Sequence, residues 1–208
     1  MSAIRITSAS GPFLTPDLIR QAVGIISKAD AMGLLPDLKI QRLDLPSFRA
    51  VVGKIAEAGI GTEVQAALAA PEGRLSPPEL SRLLDRLEIA IEESPAPEHE
   101  WRSLEKVFSA DRLAALLGTS SPSVRRYSAG ARSTPDALAA RLHFLATIVG
   151  DLAGAYNEIG IRRWFDRQRS QLEGKAPADV LQGDWSPEDS GPRRLRELAQ
   201  ALVASPAT

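Results

Sequence analysis

The chain has 208 residues, 44% of them apolar and 25% charged, with a net charge of −1. This composition is typical of a globular protein of one or two domains, and a charge so near zero does not indicate a protein that coats nucleic acid. The lack of cysteine excludes disulfides and thiolate metal sites. Because we find no secretion signal and no apolar run near the ~18 residues of a membrane span, we expect a cytoplasmic protein without membrane association.

Helix signals recur along almost the whole chain and predict an all-α fold. Four helix starts share a Ser or Thr followed by Pro and then an acid, which supply an N-cap, a preset φ and a favourable carboxylate. Residues 38–45 alternate apolar and polar, but no second strand is evident to pair with them, so we expect an extended segment or a loop. The predicted helices are roughly 16–34, 47–58, 61–70, 77–93, 101–107, 110–117, 122–129, 135–158, 160–167, 177–182 and 192–203.

A stretch rich in proline and charge predicts a linker at 94–100. It separates a helical N-terminal region, 1–93, whose role the sequence does not reveal, from the rest of the chain. Residues 1–100 carry a net charge of −4 and residues 101–208 carry +3. An acidic half joined to a basic half is compatible with a DNA-binding part fused to another part.

Residues 110–129 have the pattern of a helix-turn-helix. Leu113 and Leu117 share one face of a first helix, Gly118 ends that helix, and Ser121 is the expected cap of the second helix. Val124 and Tyr127 are predicted to point inward. The alternative is an ordinary helical hairpin without contact to DNA.

The polar residues of this segment are the candidate DNA-binding residues. From Ser109 to Arg132 the net charge is +3. We expect three side chains to face the major groove and four to contact phosphates, and we expect a homodimer because regulators of this kind bind paired half-sites on double-stranded DNA. The groove set is Ser123, Arg125 and Arg126, and the phosphate set is Thr119, Ser120, Ser121 and Arg132.

Two further segments follow. The predicted helix 135–158 carries a broad apolar stripe that favours a core helix over a dimer helix; its members are Leu138, Leu142, Leu145, Val149 and Leu152.

Beyond this helix, two aromatic residues stand among arginines, which suits either a binding surface or a small core with arginines on its solvent-exposed side. The candidate partner-binding residues are Arg162, Arg163, Trp164, Phe165, Arg167, Arg169, Gly174 and Pro177.

The order of these parts resembles the Xre/MbcA/ParS family of antitoxins. The resemblance spans about 109–203 and rests on a helix-turn-helix, a long helix, and the run of Trp164, Leu172, Gly174, Pro177 and Leu181. It implies an Xre-like DNA-binding domain over 101–158 and a small helical toxin-binding domain over 159–208. It also implies an antitoxin that represses its own promoter and neutralises a RES-domain toxin.

Nothing in the sequence indicates an enzyme, a metal site or a cofactor. His99 lies in the predicted linker, where we expect it to be solvated, and His143 lies in the apolar helix, where a structural histidine is expected. No metalloprotease, nucleophile-elbow or phosphate-loop motif is present. Three hypotheses about the function therefore stay open: an antitoxin-like repressor, a stand-alone DNA-binding regulator, and a protein-interaction module whose helix-turn-helix has only a structural role. An effector site in 1–93 is a further possibility.

Overall fold

The protein has an all-α fold, seen in a computed structural model that describes residues 4–69 and 75–204. The described residues form eleven α-helices, two 3₁₀ turns and one pair of two-residue strands. They fall into two compact units, Met1–Ser94 and Pro95–Thr208. Each unit is described by itself below.

The first unit is built on the packing of α1 (Pro16–Ala31) with α4 (Pro77–Glu92). A buried aromatic pair, Phe13 and Phe48, with ring centroids 5.4 Å apart, lies in its core. Lys28 of α1 is buried and bonds two carboxylates of α4, Glu88 at 2.8 Å and Glu92 at 2.5 Å, so this buried cation is neutralised. The elements are β1 (Ser8–Ala9), a 3₁₀ turn (Gly11–Leu14), α1 (Pro16–Ala31), β2 (Arg42–Leu43), α2 (Leu45–Glu57), α3 (Thr62–Ala69) and α4 (Pro77–Glu92).

The segment 38–45 contains a strand that the sequence did not identify. Arg42 and Leu43 pair in parallel with Ser8 and Ala9. The expectation of an unpaired extended segment was wrong because the partner strand is only two residues long and has no alternating pattern of its own.

The second unit begins with a helix where a linker was predicted. Its first helix, α5, starts at Pro97, so only the beginning of the predicted linker 94–100 is non-helical. Glu100 is fully buried and lies 2.6 Å from Nδ1 of His143, which excludes a solvated linker at that position. The remaining helices are α6 (Ala110–Leu117), α7 (Ser121–Ser128), α8 (Asp136–Ala153), α9 (Glu158–Asp166), α10 (Pro177–Val180) and α11 (Ser190–Ala204), and α5 itself is Pro97–Val107.

Helix α8 is the centre of the second unit. Every residue from Leu142 to Leu152 is buried. Helices α5, α6, α9 and α11 all pack against it. The ranges predicted as separate domains, 101–158 and 159–208, therefore fall within one compact unit.

The predicted and observed bounds of the helices agree best where local sequence signals are strong. Helix α6 has the predicted bounds, whereas α1 and α8 end three and five residues before the predicted positions. The last residue of the predicted helix 61–70 lies outside the described residues.

Among the described residues, no single helix is long and apolar enough to cross a membrane. Helices α8 and α9 meet the criteria of length and composition only as a pair, which is bent by 117°.

Candidate nucleic-acid interface

Helix α6 has strong stop and start signals. Ser109 is its N-cap, and its hydroxyl accepts a hydrogen bond from the backbone N–H of Arg112 at 3.2 Å. Gly118 ends the helix with φ of +66°, a conformation that favours glycine. A Cβ at this position would lie 2.4 Å from the carbonyl oxygen of Gly183, so glycine is also required by the close approach of another backbone segment.

Helix α7 begins one residue earlier than the sequence suggested. Ser120, not Ser121, is the N-cap, and its hydroxyl accepts a hydrogen bond from the backbone N–H of Ser123 at 3.4 Å. Pro122 is therefore the second helical residue rather than the first. A proline is still acceptable there because the first N–H groups of a helix have no partner within it.

The inward face of α7 is buried, as predicted. Val124 is fully buried and Tyr127 is 8% exposed. The Tyr127 ring stacks on Trp101 of α5, with centroids 5.6 Å apart and planes at 14°. Ser128 also donates a hydrogen bond of 2.6 Å to Glu105 of α5, so α5 fixes the orientation of α7.

The outward face of α7 carries two exposed arginines. Arg125 and Arg126 are both exposed, and within the described part of the chain neither forms an ion pair. Arg126 makes one weak hydrogen bond of 3.4 Å to Ser123. Their charges are therefore available to an anionic partner, since no carboxylate here neutralises them.

The candidate phosphate-binding residues lie close to this face. Ser120 is exposed, while Thr119 and Ser121 are half-buried. The Ser120 hydroxyl is already engaged, because it caps α7 and donates to the Ser123 hydroxyl at 2.9 Å. Arg132 is exposed and its guanidinium lies 5.6 Å from the Tyr127 ring centroid, which holds it beside the end of α7.

One of the arginines that contribute to the net charge of Ser109 to Arg132 is already paired with a carboxylate. Arg112 of α6 forms an ion pair with Asp166 of α9. Two clefts of the second unit lie next to this pair: one of about 520 Å³, lined by Arg167, Gln168 and Asp179 among others, and one of about 550 Å³, lined by Lys106 and Phe108 among others. Arg112 and Asp166 line both clefts.

The aromatic residues of the second candidate site are core residues. Trp164 is 3% exposed, Phe165 is fully buried and Pro177 is buried. Phe165 packs edge-on against Phe108, with centroids 5.3 Å apart. The helical period places both aromatic rings on the side of α9 that faces the rest of the unit, and their role in partner binding stays a prediction.

The arginines around these rings differ in their surroundings. Arg162, Arg163 and Arg167 are all exposed, and Arg162 also donates a hydrogen bond of 2.9 Å to the carbonyl of Val107 at the end of α5. Arg169 lies over the Trp164 ring at 4.6 Å, and burial lowers the pKa of its guanidinium. Gly174 is exposed with φ of +80° and open space beside it.

Two residues that the sequence did not single out contact the end of α6. Trp185 donates its indole N–H to the carbonyl of Leu116 at 3.0 Å, and Arg141 donates to the carbonyl of Leu117 at 3.3 Å. Asp184 pairs with Arg141. The only sequence signal for this contact was that Trp185 is one of three tryptophans in the chain.

The two histidines have different roles. His99 lies exposed on α5, and His143 is buried against Glu100, as expected for a structural histidine. Among the described residues, no group of three His, Cys, Asp or Glu could hold a metal ion.

Comparisons with protein-family models, with curated proteins and with solved structures give no match to this chain.

Proposed function

We propose that this protein is a DNA-binding transcriptional regulator that inserts α7 into the major groove. The observation that carries this proposal is the pair of exposed, unneutralised arginines on a short helix whose opposite face is buried. Arg125 and Arg126 would contact base edges or phosphates together with Ser123. Thr119, Ser120, Ser121 and Arg132 flank them and would contact the phosphates.

Two features of the surroundings support this proposal. Helix α7 is anchored to α5 through the Trp101–Tyr127 stack and the bond from Ser128 to Glu105, so its outward face is presented rigidly. Helices α6 and α7 are joined by a tight turn at Gly118, as in a helix-turn-helix, whose second helix reads the groove. We expect a homodimer on paired half-sites, because one module buries little surface on DNA.

The test replaces both arginines with alanine. A binding site is first selected from a pool of random duplexes and, where available, from the DNA upstream of the chain's own gene. Arg125→Ala combined with Arg126→Ala should lower affinity by about 100-fold or more, because each arginine contact contributes ~1–3 kcal/mol. The slope of log affinity against log salt should fall by about 2 if both arginines contact phosphates.

The matched control is Arg193→Ala combined with Arg194→Ala. These arginines are also adjacent, exposed and helical, but they lie on α11 and pair with Glu188 and Glu173. The control removes the same charge and should bind DNA like the wild type, with the same salt slope. If the α7 variant retains wild-type affinity while remaining folded by circular dichroism, the proposal is wrong.

A second candidate function is the neutralisation of a RES-domain toxin, as the resemblance implies. Trp164, Leu172 and Leu181, which carry the resemblance, are all buried, while Arg163 and Arg167 are left exposed and Arg167 lines the cleft of about 520 Å³. Co-expression with a RES-type protein from the neighbouring gene tests this function. Arg163→Glu with Arg167→Glu should then abolish co-purification with the RES-type protein and the protection of cells from its toxicity. Unchanged co-purification would contradict a role for this surface.

A further inference from the structure

The end of α6 is completed by side chains from distant parts of the second unit. The last carbonyls of a helix lack partners within it. The carbonyl of Ala114 accepts from the backbone N–H groups of Gly118 and Thr119. The backbone carbonyls of Leu116 and Leu117 accept instead from side chains, those of Trp185 and Arg141 respectively.

The backbone of Gly183, in the segment 182–185, also lies directly against Gly118 in the turn between α6 and α7. The carbonyl oxygen of Gly183 occupies the space where a Cβ of Gly118 would be. The turn residues that follow Gly118 lead to Ser120, the N-cap of α7. The conformation of 182–185 thus constrains the point from which α7 starts.

Arg141 joins these contacts into one network. It donates to the carbonyl of Leu117, forms an ion pair with Asp184, and lies over the Trp185 ring at 5.5 Å. The Arg141 side chain is 13% exposed and Trp185 is 5% exposed, whereas the Asp184 side chain is 97% exposed. Trp185 also packs edge-on against Phe144 of the central helix, with centroids 5.4 Å apart, so the network is fixed to the core of the unit.

We propose that Trp185, with Arg141 and Asp184, positions the recognition helix: the network holds the end of α6 and thereby fixes the turn that orients α7. The proposal rests on the DNA-binding function for its affinity measurement and extends it to residues outside α6 and α7. A ligand that detached 182–185 from α6 would weaken DNA binding, and DNA would weaken the binding of that ligand by the same factor.

The experiment compares Trp185→Phe with Trp164→Phe in the full-length protein. Both variants make the same change at a buried tryptophan, but only Trp185 loses a hydrogen bond, since Nε1 of Trp164 has no partner within the described residues. Amide hydrogen exchange is measured across α6, the turn and α7, and the change in the global stability of each variant is measured by urea unfolding. DNA affinity is measured at a temperature where all variants are folded.

The expected result is local. Trp185→Phe should speed exchange at Gly118, Thr119 and Val124 about tenfold beyond the change in global stability, because a buried carbonyl is left unpaired. It should weaken DNA affinity about tenfold, whereas Trp164→Phe should leave both quantities unchanged after correction for global stability. Asp184→Asn should act in the same direction by about twofold, because its ion pair is exposed, and Glu188→Gln, which breaks another exposed pair with Arg193, should have no such effect.

The positioning role would be overturned by exchange that rises uniformly through the unit in Trp185→Phe, or by equal local exchange in the two tryptophan variants. If the wild type selects no DNA at all, the DNA-binding function fails, and the exchange comparison still decides whether Trp185 fixes the turn. If the Arg125 and Arg126 variant loses DNA binding but Trp185→Phe does not, only the positioning role fails.

Discussion

At the scale of single residues, Gly118 carries two separate requirements. Its φ of +66° is a left-handed conformation, and the carbonyl of Gly183 fills the space beside its α-carbon. The sequence predicted the first requirement, because a glycine after the last apolar position of a helix is a typical stop signal. It gave no indication of the second, since Gly183 is far away in the chain and no local pattern refers to it.

The two requirements can be separated by comparing Gly118→Ala with Gly130→Ala. Gly130 has nearly the same φ, +68°, but open space around its α-carbon. We expect Gly130→Ala to lower the free energy of unfolding by about 1–2 kcal/mol, the cost of a left-handed residue with a Cβ. Gly118→Ala should cost about 2 kcal/mol more, because the backbone of Gly183 must move. Urea unfolding measures both, and equal costs would contradict the close approach.

At the scale of elements, the accuracy of the sequence prediction follows the range of the interactions that define each element. Helix α6 was predicted with its observed bounds, because Ser109 and Gly118 are local signals. The start of α5 was missed, because its N-cap is Ala96, which has no capping side chain, and because the burial of Glu100 depends on His143, 43 residues away. The pairing of β1 with β2 was missed for the same reason.

A local cap also sets a pH dependence for α2. The Asp44 carboxylate accepts a hydrogen bond of 2.9 Å from the backbone N–H of Ser47, and Ser47 accepts one from the N–H of Asp44. The bond from the backbone of Ser47 lowers the pKa of Asp44 below its ordinary value of 3.8. Since the folded pKa is the lower one, this stabilisation is present above about pH 4 and is lost as the pH falls through the folded pKa.

Asp44→Asn tests this dependence, because asparagine also caps helices but does not titrate. We expect the variant and the wild type to have similar free energies of unfolding near neutral pH. Below pH 4 the wild type should lose stability more steeply than Asp44→Asn, as measured by urea unfolding at several pH values. Parallel curves would show that Asp44 does not contribute to the acid sensitivity.

At the scale of the whole molecule, the candidate site could be predicted only in part. The outward arginines of α7 and the inward Val124 follow from helical periodicity, which is a property of a few neighbouring residues. The burial of Trp164 and the contact of Trp185 with Leu116, 69 residues away, depend on how the helices assemble. The resemblance implied two domains within 101–208, and these residues lie in one compact unit.

This organisation predicts how fragments behave. A fragment of residues 95–208 should fold with a cooperative thermal transition, because it contains the whole second unit. A fragment of residues 95–158 should not, because it lacks α9, Trp185 and the buried Leu195 and Ala199 of α11, which packs against α8. Circular dichroism melting curves of the two fragments measure this, and a cooperative transition in the shorter one would contradict it.

The complete burial of α8 from Leu142 to Leu152 also constrains symmetry. A helix whose every side is covered by its own chain has no surface left for a second copy. If two protomers bind DNA as proposed, the two-fold axis that relates them must pass outside this segment, and peripheral elements would set the spacing of the half-sites. Assembly could then diverge among related sequences through surface substitutions alone, while the central helix stayed under the constraints of a protein interior.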